Sequence, residues 1–146
     1  MDHRGLTILK GLLAFAILST GLHFTHNFVE IDQYPRSELI GNTAIQVGIV
    51  ASWPVFTAIA LVAYRRYARR RDGIAHGLLG AYGAFCLVTL GHFTAGNPDI
   101  PAFWYATIFT DVAAGVAILG FVAWSVLAGR AGVGPAAPRG GPAAAP

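Results

Sequence analysis

Gly21-Leu22-His23-Phe24-Thr25-His26-Asn27-Phe28-Val29-Glu30 closes the first apolar run of the chain with two imidazoles, an amide and a carboxylate. Wound as a helix, Ser19, His23, His26 and Glu30 follow at steps of four, three and four, which puts them on one face. The residues before them, from Leu6 to Leu22, are almost all apolar. A polar stripe on an otherwise lipid-like helix points into a bundle, because ionisable groups at membrane depth pair with each other or serve function. The chain is therefore expected to be an integral membrane protein with this stripe turned inward.

Working outward, the same wording returns as Gly91-His92-Phe93-Thr94-Ala95-Gly96-Asn97 near the end of a later apolar run. Four such runs are present, and spans are expected at about 6–28, 40–64, 74–95 and 103–128. Each has about the 20 residues a helix needs to cross the hydrocarbon core. A content of 55% hydrophobic and only 12% charged residues excludes an ordinary soluble domain. Met1–Gly21 is read as the start of span one rather than as a signal peptide, since the apolar run continues through the histidines.

Charge fixes an expected orientation. Of ten Lys and Arg, nine (Arg4, Lys10, Arg65, Arg66, Arg69, Arg70, Arg71, Arg130 and Arg139) precede or open span one, lie between spans two and three or follow span four. An even number of spans puts all three regions on the same side, which is the cytoplasmic side by the positive-inside rule. The opposite side carries Arg36 against Glu30, Asp32, Glu38 and Asp99. The expectation is an all-α, integral membrane four-helix up-down-up-down bundle in the inner (plasma) membrane, with both termini cytoplasmic. The pI near 9.4 is thus a matter of topology and implies no nucleic-acid partner. The arginine loop anchors the chain to the lipid bilayer. Residues 129–146, rich in Gly, Ala and Pro, read as a disordered cytoplasmic tail.

Further polar stripes follow on the other spans. Span two places Asn42, Gln46, Trp53 and Thr57 on one side, with Pro54 expected to kink it. Span three places Tyr82, Cys86, Thr89 and then His92 or Phe93 at three- and four-residue steps, and Gly77, Gly80, Ala81, Gly83 and Ala84 suit close helix contact. Span four aligns Thr107, Asp111, Ala114, Ile118, Phe121 and Ser125, and Asp111 is the one acid well inside a span. Tyr34-Pro35 and Phe103-Trp104-Tyr105 read as interfacial aromatics, and His76 as an interfacial residue without a role.

Up-down topology gathers His23, His26, Asn27, Asn42, Gln46, Thr89, His92 and Asp111 in the outer half. The HFT echo further suggests two related helical hairpins sharing a site. One reading is a haem ligated by His23 and His92 with Asn27 and Thr89 around it. Another is a transition metal, Zn, Cu or Fe, on His23, His26, His92 and Asp111. The alternative is a structural or accessory subunit, paired with a membrane-protein partner or with itself, in which these groups only hydrogen-bond between helices. Polar groups are sparse on the inner side, which disfavours a through-going path. No Ser or Cys nucleophile has a recognisable surround, and no reaction is assigned.

Overall fold

The computed structural model describes residues 3–35, 40–69 and 73–131. The helices are α1 (His3–Val29), α2 (Asn42–Arg69), α3 (Gly73–Leu87) and α4 (Ala102–Ala131), and among the described residues there is no strand. A 3-10 turn, Ile31–Gln33, follows α1, and α3 continues as a seven-residue 3-10 segment, Val88–Thr94. Counting that extension with α3, four helices are long and apolar enough to cross a membrane. Each coincides with one of the apolar runs. The fourth goes further than expected, since α4 remains helical through Gly129 to Ala131. The rest of the expected tail, and Arg36, Glu38, Arg70 and Arg71, lie outside the described residues.

Packing follows the stripes. α1 lies against α2 and α4, and α3 lies against the same two helices. Ser19, His23 and His26 are buried while Glu30, beyond the end of α1, is exposed. On α4 the expected face is buried at Thr107, Asp111, Ala114, Ile118 and Phe121, while its last member, Ser125, is only half-buried. Large apolar side chains such as Leu18, Val47, Val88, Phe103 and Val116 face outward instead, as they do on helices that meet lipid.

α3 and α4 approach each other closely at a pair of glycines. A Cβ on Gly115 would stand 2.7 Å from the Gly83 carbonyl oxygen, so the two backbones touch where neither residue has a side chain. The other small residues of α3 behave differently from the expectation. Gly77 and Gly80 have open space beside them, and Ala81 and Ala84 are exposed. α2 runs through Pro54 without a break, and its fully buried residues, Ala60, Ala63 and Tyr67, all lie in its second half. Its first half stands away from α3, and the space left there adjoins the histidines.

Candidate functional site

The site forms where α1 ends, α2 begins, α3 becomes 3-10 and α4 begins. His23, completely buried, extends from α1 so that its Nε2 lies 3.1 Å from Nε2 of His92. The ring centroids are 5.2 Å apart and the ring planes 22° from parallel. The two distances together leave little more than the ring radii between them, so the rings meet edge to edge through the two nitrogens. Two bare Nε2 lone pairs in contact repel, and so do two N–H groups. The pair is stable only with one shared proton or with a cation between the nitrogens.

Asn27, one turn after His23, reaches the same point, with its amide nitrogen 3.2 Å from His92 Nε2. The nitrogen and oxygen of such an amide are interchangeable by a flip, which would present Oδ1 there. Behind His23 stands Asp111 of α4, also fully buried. The Ser19 hydroxyl donates to Asp111 Oδ1 at 2.5 Å and lies 2.7 Å from the Thr110 hydroxyl. Asp111 Oδ2 and His23 Nδ1 face each other at 3.4 Å, short of hydrogen-bond geometry, and neither makes a hydrogen bond elsewhere among the described residues. A small rotation of either side chain closes that contact, and a carboxylate there holds the His23 proton on Nδ1 and leaves Nε2 as a lone pair.

The expected cluster is smaller in fact. His26 is not beside His23 and His92: its Nδ1 lies 2.9 Å from the Tyr34 hydroxyl and its ring stacks on Trp104 at 4.4 Å. The one-residue difference between steps of three and four turns it to the loop side of α1. Asn42 donates to Asp32 Oδ1 and Gln46 to the Phe28 carbonyl, both tying the start of α2 to the chain that leads out of α1. The Thr89 hydroxyl donates to the Cys86 carbonyl one turn back, although the residue lies on the wall of the adjoining space. Among the described residues, no three His, Cys, Asp or Glu side chains are grouped to hold a metal ion. Asn42 and Asp111 stand equally far along the chain from His23 and His92, the histidines of the HFT echo, yet Asn42 meets a loop carboxylate where Asp111 faces His23.

Tyr34, expected as an interfacial aromatic, also packs against the site, and Trp104 packs beside it on His26. Tyr34 is buried, its ring 4.8 Å from His92 and 6.0 Å from His23. Burial, and secondarily the charge of Asp111, pushes its hydroxyl up to about 12, so it stays protonated beside His26 Nδ1, 2.9 Å away. The segment carrying it is held down by the Asp99 amide, which donates to the Gln33 carbonyl. Gly96, at φ +143°, turns the opposite loop close against Pro35. The available signal was the shortness of the connection, four residues from Glu30 to Tyr34, which cannot carry an aromatic far from the end of α1.

No family model, curated protein or solved structure matches the chain.

Proposed function

We propose that this chain is a multi-pass membrane protein that holds a single transition-metal ion between His23 and His92. The observation carrying this reading is the 3.1 Å contact of the two Nε2 atoms. Two imidazoles on one tetrahedral ion, each about 2.0–2.1 Å from it, have nitrogens about 3.3 Å apart, whereas an axial pair on either side of a haem iron needs about 4 Å. The pair is close to the first spacing and far from the second. Asn27 Oδ1 would be the third donor and Asp111 the partner of His23 Nδ1, the carboxylate–imidazole–metal relay that fixes a ligand's tautomer. The two imidazoles suit zinc or copper.

The membrane setting of this reading rests on the four apolar helices and on the sequence charge pattern. The helices run up-down-up-down with both termini and the arginine loop at the cytoplasmic face of the inner membrane, and the ion lies toward the other face. A cysteine introduced at Gln33 is then labelled from outside the cytoplasm; labelling from the cytoplasmic side alone overturns the orientation.

The test is to purify the protein in mild detergent, strip it with a chelator, and titrate it with Zn²⁺ and with Cu²⁺ beside His23→Ala and His92→Ala. One ion per wild-type chain, lost in both variants, is expected. Retention of the ion by both variants overturns the reading. A visible haem band lost in both variants replaces it with haem, and a colourless, metal-free wild type returns the histidines to interhelical hydrogen bonding in an accessory subunit.

A further inference from the structure

The space beside the histidines is larger than any ion requires. It is a cleft of about 950 Å³ between the first half of α2 and the end of α3, at the upper end of the range for sites that enclose a small organic molecule. Its walls are Gly48, Ser52 and Phe56 of α2 and Ala81, Ala84 and Phe85 of α3. Phe56 and Phe85 stack on each other at 3.9 Å with planes 5° apart, so aromatic side chains close α2 against α3 in its wall. Exposed Ile40 and Val88 stand at the rim, so access is from an apolar phase. At the other extreme the lining is polar, and it consists of His23, Asn27, Tyr34 and His92.

That division selects a ligand. The described lining contains no Lys, Arg, Asp or Glu, so none of these residues compensates a charged headgroup. With Oδ1 of Asn27 turned to His92, its amide NH2 is a hydrogen-bond donor, which suits an oxygen that only accepts. We propose that the cleft takes a quinone-class molecule from the membrane: a neutral, flat, carbonyl-bearing ring whose oxygen meets the Asn27 amide and whose apolar tail leaves past Ile40 and Val88. This goes beyond the ion reading and does not require the ion.

The probe is decylubiquinone, measured by equilibrium binding to the chelator-stripped full chain in phosphatidylcholine nanodiscs. Gly48→Leu fills the cleft where a Cβ meets nothing within 4 Å, and Gly120→Leu makes the same change at another open position on α4. Saturable binding of one molecule per chain is expected, weakened at least tenfold by Gly48→Leu and unchanged by Gly120→Leu, with decyl alcohol failing to compete. Absence of saturable binding overturns the proposal, as does full affinity in Gly48→Leu. Equal competition by decyl alcohol overturns it in favour of a groove for lipid tails. Because the protein is stripped, a failed metal titration leaves this result standing, and a failed quinone result leaves the metal titration standing.

Discussion

Both ends of the packed helices bring histidine, tyrosine and serine together from different elements, and they use them in opposite ways. At the arginine end, the Ser125 hydroxyl of α4 lies 2.9 Å from the Tyr67 hydroxyl of α2 and 3.1 Å from His76 Nε2 of α3. One small group there joins three helices. At the histidine end, Ser19 is committed to Asp111, Tyr34 to His26, and the two remaining imidazoles meet nitrogen to nitrogen next to open space. Polar atoms paired across helices are packing. Polar atoms left facing one another without a hydrogen bond, as His23 Nδ1 and Asp111 Oδ2 are at 3.4 Å, are the opposite case.

The comparison can be broken most severely by disturbing the scaffold common to both ends. Gly115→Leu forces a side chain against the Gly83 backbone, and the expected cost is about 3 kcal/mol or failure to fold, read as a large fall in the detergent unfolding midpoint. Asp111→Asn keeps the shape and the Ser19 contact but removes the carboxylate behind His23. Metal affinity should fall roughly 10- to 100-fold, with the unfolding midpoint moving far less than in Gly115→Leu; unchanged affinity would detach Asp111 from the ion. Ser125→Ala removes both contacts of the arginine end at a cost of about 1 kcal/mol and should leave metal titration as it was. An altered affinity in that variant would mean the two ends are coupled. Asn42→Ala, at the exposed start of α2, should change stability by less than about 0.5 kcal/mol and affinity not at all.

Much of this was legible in the residues themselves. The four helices follow from apolar length, and the buried faces of α1 and α4 follow from three- and four-residue steps, because both depend on local periodicity. Asp111 was legible as an inward group since a carboxylate is costly against lipid. What escaped depends on how elements meet. Nothing local says that α2 stands off from α3, so Ala81 and Ala84 read as contact residues when they line a cleft. Nothing local distinguishes Gly83, pressed against Gly115, from Gly80, with space beside it. His76 read as idle because its partners lie on two other helices.

The change from α to 3-10 winding at Val88 decides another ambiguity, whether His92 or Phe93 continues the stripe of Tyr82, Cys86 and Thr89. An α-helix advances 3.6 residues per turn and a 3-10 helix 3.0, so from Leu87 to His92 the two windings diverge by about 100°. The tighter coil stacks Thr89 and His92 in one column and turns Phe93 toward Tyr105 and Phe109. Runs of this winding longer than a few residues are uncommon, and here seven consecutive residues keep it. Loss or gain of a single codon between Val88 and Gly91 would swing the imidazole by about a third of a revolution. Length in this stretch is therefore under tighter constraint than the identity of its apolar side chains.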